Sequence, residues 1–199
     1  MSNQLATKAL HAGHDASNSQ GTQAVPIYQT TSYVFNDSEH AANLFSLAEP
    51  GFIYTRLNNP TNDVLEQRLA AMEGGVAAVA TASGTAAIAT TLMVILKTGD
   101  HIVASSSLYG GTYNLLSNTL PRFGITTTFV DPDKAENFGK AIQPNTRLFF
   151  SESLGNPKLD VLDLKAISDQ AKAAKVPFVG DNTVASPALL NPIEHGANI

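Results

Sequence analysis

Short apolar runs alternate with longer helical segments from about residue 76 onwards. The apolar runs predict strands at 76–81, 101–105, 125–131, 147–152 and 177–180. Segments with apolar residues at helical spacing predict helices at 84–97, 111–123, 134–142 and 163–175. Strands that alternate with helices of this length are typical of βαβ units, so the pattern predicts an α/β fold with a mainly parallel sheet. Residues 197–199 look like the start of another strand.

The first 60 residues lack this regularity. Residues 1–36 are rich in Gln, Thr, Ser and Asn, and residues 25–35 are extended in character, which predicts an arm lying over another surface. A short helix is predicted from Asp37 or Ser38 to about Ala48, and a longer one from about residue 60 to Gly74. The shift in composition near residue 60 predicts two regions, an arm at 1–60 and an α/β domain at 61–199.

Composition and charge exclude several classes of function. The chain carries 17 acidic and 12 basic residues, and its lysines are scattered, so no basic surface indicates nucleic acid. It has no cysteine, which excludes disulfides, thiolate metal sites and a cysteine nucleophile within these residues and suits a cytoplasmic protein. The five histidines show no metal-ligand spacing. The longest apolar stretch, 86–96, is too short to cross a membrane, so we expect a soluble protein without a metal.

Asp181 follows the apolar run Phe178-Val179-Gly180 and therefore lies where a buried strand ends. A carboxylate at the edge of a low-dielectric interior needs a partner. In open α/β sheets this edge is also where ligands bind. Asp181 either caps the following turn or holds a cation, such as the protonated ring nitrogen of a bound cofactor.

Other residue groups fall at the same predicted edge. Ser83-Gly84-Thr85 forms a strand-to-helix turn whose free N–H groups suit a phosphate, although any such turn looks similar. Tyr109 could stack on a planar ligand or simply lie at the rim. Three further residues are candidates with ordinary surface roles as alternatives: Tyr54, Arg56 and Asn156. Together the groups suit a phosphorylated planar heterocycle with a basic nitrogen, and pyridoxal phosphate is such a ligand.

Seven strings then resemble those of the Cys/Met-metabolism family of pyridoxal-phosphate enzymes. They occur in the order and spacing typical of that family, from about Lys8 to Ile199: VPIYQTTSYVF, IYTRLNNPT, MEGG, ASGTAAI, LYGGTYNLL, ESLGNP and DNTVASP. The resemblance implies an aspartate-aminotransferase-like large domain (fold type I) behind an extended N-terminal arm. Within the family, the opening strings look most like members that make homocysteine from O-acetyl-L-homoserine and sulfide. Members that cleave methionine, or that make or cleave cystathionine, are the alternatives.

The resemblance also implies a role for each candidate residue. Asp181 would pair with the pyridine nitrogen, Thr183 and Asn156 would bond near the phenolic oxygen, and Tyr109 would stack on the ring and relay protons. The turn Ser83, Gly84 and Thr85 would hold the phosphate, chiefly through backbone N–H groups. Tyr54 and Arg56 would reach the phosphate of a neighbouring subunit, which makes residues 1–60 an inter-subunit segment and implies a homotetramer of dimers.

One expected residue is missing from the pattern. The Schiff-base lysine of the family lies in a Ser-x-Thr-Lys string shortly after a strand that starts like Ala197-Asn198-Ile199, and no lysine here has that context. The domain that supplies an arginine for the substrate carboxylate is absent as well. We therefore expect an N-terminal portion of a longer enzyme, catalytically inactive by itself.

Overall fold

The computed structural model of the protein describes residues 4–199, which pack as two compact units. The first unit ends at Ala80 and the second spans Thr81–Ile199. The predicted boundary at residue 60 differs from this division, because the helix that starts at Pro60 packs within the first unit. Within residues 4–199, no helix is both long and apolar enough to span a bilayer.

The first unit is built on the packing of helix α1 (Leu5–His11) against helix α3 (Pro60–Glu73). Gly13 permits this approach, because a Cβ there would lie 2.8 Å from both Gln67 Cβ and the carbonyl oxygen of Val64. A 3-10 turn at Ala16–Ser19 and helix α2 (Ser38–Phe45) complete its helical elements.

The predicted arm at 25–35 is bonded to the start of α3. Asn59 caps this helix by accepting the N–H of Thr61, and its Nδ2 donates to the carbonyl oxygen of Tyr28 at 2.9 Å. The Thr61 hydroxyl accepts the N–H of Tyr28 and donates to the carbonyl oxygen of Pro26. Polar groups at the N-terminus of α3 thus fix part of the arm, whose backbone is not paired in a β-sheet.

The second unit contains a four-stranded, fully parallel sheet in the order β2-β1-β3-β4. Its strands are β1 (His101–Ser105), β2 (Thr126–Val130), β3 (Thr146–Glu152) and β4 (Phe178–Asp181). The helices α4 (Gly84–Ile95), α5 (Gly110–Asn114), α6 (Glu136–Lys140), α7 (Leu164–Ala174) and α8 (Ser186–Leu189) lie between or after them. Beyond α5 the helix continues as a π segment at Leu115–Thr119 and a 3-10 segment at Leu120–Phe123, and a last 3-10 turn covers Pro192–His195. The mainly parallel α/β fold is confirmed.

Alternate residues of the strands pack into two hydrophobic cores on opposite faces of the sheet. One core joins Ile102 and Phe150 to apolar residues of α4 and of the helical segment 115–123. The other joins Val103 and Phe149 to apolar residues of α6 and α7. Because both faces are covered, the central strands β1 and β3 have consecutive apolar residues (102–104 and 148–150) rather than an alternating pattern, which explains why these runs were visible in the sequence.

The strand predicted at 76–81 is wrong. Val76 and Val79 are 107% and 81% exposed and have irregular backbone. A strand forms only where a neighbour satisfies its N–H and C=O groups. Instead, the N–H of Ala80 donates a hydrogen bond to the side chain of Glu66 at 2.8 Å. At the other end, 197–199 is not a strand, but the N–H of Asn198 and the carbonyl of Ile199 bond to Phe178 and Gly180 of β4.

His101 ties three strands together inside the second unit. It is almost fully buried at the start of β1, and its Nδ1 and Nε2 each lie 2.8 Å from a hydroxyl, of Thr146 on β3 and of Thr128 on β2. Burial lowers the pKa of His101, because the charged imidazolium would lose its hydration. The buried site therefore favours the neutral imidazole.

We expect the free energy of unfolding to fall as the pH drops below about 6.5, the ordinary histidine pKa. Below that pH the unfolded chain binds a proton at His101, whereas the folded chain binds it only at its lower pKa. The stabilisation by the neutral histidine is therefore complete above about pH 6.5 and is lost as the pH falls through the folded-state pKa. Urea unfolding of the wild type and of His101→Gln, from pH 7.5 down to pH 5.5, measures the slope. The variant should show the shallower slope, and the exposed control His195→Gln should keep the wild-type slope. Equal slopes for the wild type and His101→Gln would contradict the expectation.

Candidate functional site

A cavity of about 340 Å³ opens at the carboxyl edge of the sheet in the second unit. The ends of β3 and β4 and the starts of α4 and α5 line it. Its lining residues are Ser83, Gly84, Thr85, Ile88, Tyr109, Thr112, Glu152, Leu154, Asn156, Asp181, Thr183 and Val184. Seven of the nine predicted site residues are among them, and the turn at 83–85 therefore faces the same cavity as Asp181.

The N-terminus of α4 forms one wall of the cavity. Ser83 caps the helix, since its hydroxyl accepts the N–H of Ala86 at 3.1 Å. The N–H groups of Gly84 and Thr85 belong to the first turn, which has no preceding helical carbonyls to bond. Apart from its chain neighbours and its own helix backbone, no described atom lies within 4 Å of the place where a Cβ of Gly84 would be. This wall therefore offers free N–H donors and open space to an anion.

Asp181 contributes a carboxylate from the last position of β4. Its Oδ1 accepts both the N–H of Thr183, at 2.9 Å, and the Thr183 hydroxyl. Among residues 4–199, its Oδ2 receives no hydrogen bond. Thr183 thus fixes the carboxylate, and one oxygen is left to bind a cation. The capping of a turn and the binding of a cation, which the sequence left as alternatives, are compatible.

Glu152 is a second carboxylate beside Asp181. The two residues are register partners on β3 and β4, so their side chains point to the same face of the sheet. Glu152 is only 4% exposed. Burial raises the pKa of Glu152, and the charge of Asp181 adds to this rise, whereas hydrogen bonds from the N–H groups of Tyr109 and Asn156 oppose it. Within the described residues, no cluster of three His, Cys, Asp or Glu side chains could hold a metal ion.

Tyr109 places an aromatic ring at the mouth of the cavity. It is 53% exposed and immediately precedes α5. The ring folds back over Gly111, where a Cβ would lie 2.5 Å from the Tyr109 Cε1 atom. The observed position of the ring therefore requires a glycine here, and the half-exposed ring can stack on a planar ligand.

Tyr54 and Arg56 belong to the first unit. The Arg56 guanidinium lies 5.6 Å from the centroid of the Tyr54 ring, within the range of a cation–π contact. Both residues line a groove of that unit together with Ser32, Tyr33, Phe35, Phe45, Ile53 and Leu57. Their predicted contact with a phosphate in another subunit stays a prediction.

Sequence reasoning missed five lining residues: Ile88, Thr112, Glu152, Leu154 and Val184. A signal existed only for Glu152, because it closely follows the apolar run Leu148-Phe149-Phe150 and ends its strand just as Asp181 ends the next strand. The cavity as a whole has N–H donors on one wall and two carboxylates at the strand ends. It therefore suits a small, flat ligand that carries an anionic group and a cationic ring nitrogen.

Comparison with known proteins gives the same family along nearly the whole chain. Residues 6–199 match the family model described as Cys/Met metabolism PLP-dependent enzyme. An O-acetyl-L-homoserine sulfhydrylase of Leptospira meyeri is 59% identical over 97% of this chain and 44% of its own length. A homocysteine synthase of Schizosaccharomyces pombe is 50% identical over 97% of this chain and 45% of its own.

A solved structure agrees in fold. It is a putative O-acetylhomoserine (thiol)-lyase of Campylobacter jejuni, whose description names an N'-pyridoxyl-lysine-5'-monophosphate. It superposes with a TM-score of 0.93 at 44% identity, over 97% of this chain and 48% of that one. The chain thus spans about half the length of the relatives it matches.

Proposed function

Because the chain belongs to the Cys/Met-metabolism family of pyridoxal-phosphate-dependent enzymes, we propose that it forms the N-terminal, cofactor-binding part of an O-acetylhomoserine sulfhydrylase. Such an enzyme makes homocysteine from O-acetyl-L-homoserine and sulfide by γ-replacement, a step of methionine biosynthesis. The observation that carries the proposal is the cavity in which free helix N–H groups face the same space as the carboxylate of Asp181.

The residues of the cavity fit pyridoxal 5'-phosphate. The Cβ-free space at Gly84 and the N–H groups of the first turn of α4 suit the phosphate, and the Ser83 cap orders that turn. Asp181 Oδ2 suits the protonated ring nitrogen, while Thr183 holds the other oxygen. The ring of Tyr109 suits the face of a heterocycle, and Asn156 supplies an amide at the same rim.

When bound, the cofactor supplies an electron-withdrawing ring that makes the α-proton of an amino acid acidic. Asp181 would keep the proton on the ring nitrogen and so preserve that electron withdrawal. The wall at 83–85 would anchor the phosphate and so orient the ring. Tyr109 would cover one face against water, and its hydroxyl would move protons at the mouth of the cavity.

The remaining parts of the proposal concern the whole enzyme. Tyr54 and Arg56 reach the phosphate in a neighbouring subunit, in a cytoplasmic homotetramer of dimers. No lysine lines the cavity formed by the described residues. The chain alone therefore binds the cofactor without a covalent bond and does not turn over substrate.

The test uses pyridoxamine 5'-phosphate, which has the phosphate and the basic ring but needs no lysine. Calorimetry should show that the chain binds it at least about tenfold more tightly than pyridoxamine, because the phosphate forms charge-assisted hydrogen bonds with the α4 N–H groups. Equal affinities, or no binding of either compound, would count against the proposal. Borohydride treatment with pyridoxal phosphate should fix no label on a cavity residue.

The reaction itself is tested in the longer enzyme. With O-acetyl-L-homoserine and sulfide, chromatography should detect homocysteine and acetate in equal amounts. Release of 2-oxobutanoate and ammonia from methionine, without homocysteine formation from the ester, would place the protein among the eliminating members of the family instead.

A further inference from the structure

Glu152 is a buried carboxylate with both oxygens engaged by backbone groups. Its Oε1 accepts the N–H of Tyr109 at 2.6 Å, and its Oε2 accepts the N–H of Asn156 at 3.2 Å. The two N–H groups belong to different segments, one that leads into α5 and one that follows β3. A single side chain therefore connects two loops at the cavity.

The two loops carry side chains that the proposed function uses. Tyr109 supplies the stacking ring, and Asn156 supplies the amide at the rim. Both are connected through Glu152, which is itself fixed as the last residue of a central strand and as the register partner of Asp181. The positions of the Tyr109 ring and the Asn156 amide relative to the Asp181 carboxylate therefore depend on the Glu152 side chain.

A neutral side chain would be easier to bury at this position. Burying a carboxylate costs free energy, and the neighbouring Asp181 increases that cost. A glutamine, however, has only one acceptor oxygen, and its NH₂ group would face one of the two N–H donors. An ionised carboxylate of this length has one acceptor oxygen for each of the two loops.

We propose that Glu152 is the positioning residue of the cofactor cavity: its two oxygens fix the backbone at Tyr109 and Asn156, and thereby set the stacking ring and the rim amide opposite Asp181. This inference rests on the proposed function for the identity of the ligand. The two hydrogen bonds that define the positioning role of Glu152 are present in the structure whatever the ligand is.

The first experiment needs no ligand. Amide hydrogen exchange, followed by NMR in the wild-type chain and in Glu152→Gln, reports each N–H separately. The variant should lose most of the protection at Asn156 and keep much of it at Tyr109, because one acceptor oxygen remains. Unchanged protection at both amides would overturn the positioning role.

The second experiment measures binding of pyridoxamine 5'-phosphate and the circular dichroism of the bound ring. Glu152→Gln should weaken binding about tenfold, by loss of a hydrogen bond to a charged group, and should change the induced dichroism. In a Tyr109→Ala background the same change should cost less than about threefold, because the ring that Glu152 positions is gone. Full additivity of the two substitutions would overturn the proposal.

Two further variants test whether the position of the Glu152 carboxylate matters, rather than its charge or the loss of any acidic residue. Glu152→Asp keeps the charge but is one methylene shorter, so it should bind as weakly as Glu152→Gln; wild-type binding by this variant would show that charge alone matters. Glu136→Gln, on the exposed start of α6, should bind like the wild type. If the wild-type chain binds no pyridoxamine 5'-phosphate, the proposed function fails, and the exchange experiment still decides the role of Glu152.

Discussion

Replacing Asp181 by alanine should reduce turnover in the longer enzyme by about 100- to 1,000-fold, the usual cost of removing one preorganised electrostatic group from a reacting centre. Thr183 holds one carboxylate oxygen, and in the proposed function the other would bind the ring nitrogen, so the substitution would remove the group that keeps that nitrogen protonated. Steady-state kinetics with O-acetyl-L-homoserine and sulfide measure the effect on kcat.

Asp181→Asn is the stricter variant, because it retains an oxygen for the Thr183 N–H and changes mainly the charge. It should lose nearly as much activity as the alanine variant. Asp133→Asn removes an exposed carboxylate in the loop between β2 and α6 and should be fully active. Undiminished turnover in either Asp181 variant would be incompatible with its assigned role.

Replacing Gly84 by aspartate should weaken binding of pyridoxamine 5'-phosphate by at least about 100-fold, because a carboxylate placed against a phosphate costs several kcal/mol. Folding should be preserved, since the new side chain meets open space and an acidic residue in the first turn of a helix is favourable. The two expected effects are thus separable: ligand affinity falls, whereas the melting temperature of the unliganded chain stays the same or rises.

Asn62→Asp is the matched control, since it adds the same charge to the exposed first turn of a different helix, α3. It should leave affinity for pyridoxamine 5'-phosphate unchanged. Retention of wild-type affinity by Gly84→Asp would show that the phosphate does not lie at the α4 N-terminus.

The sequence predicted the central strands β1 and β3 well because they are buried on both faces. Apolar runs around Val103, Phe149 and Phe178 are visible without any neighbour, and the carboxylate that ends β4 marks the edge where ligands bind. The start of α4 was also predictable, since the small residues at 83–85 are typical of a helix N-terminus.

Features that depend on a second segment were not predictable. The run at 76–81 has the composition of a strand, but composition does not supply a pairing partner. The role of Glu152 depends on its register with Asp181 and on two backbone N–H groups that come from distant parts of the chain. The π segment at 115–119 lies within a stretch that helical periodicity predicted as one regular helix.

The side-by-side arrangement of Glu152 and Asp181 also bears on how the protein matures. Two neighbouring acids repel each other in an empty cavity, and a cationic ring relieves that repulsion on arrival. A ligand that binds only the folded state stabilises it by mass action, in proportion to the logarithm of its free concentration. In the proposed function, chains made while pyridoxal phosphate is scarce would therefore be more prone to unfolding and degradation, so the supply of the cofactor would influence the amount of folded protein as well as the occupied fraction.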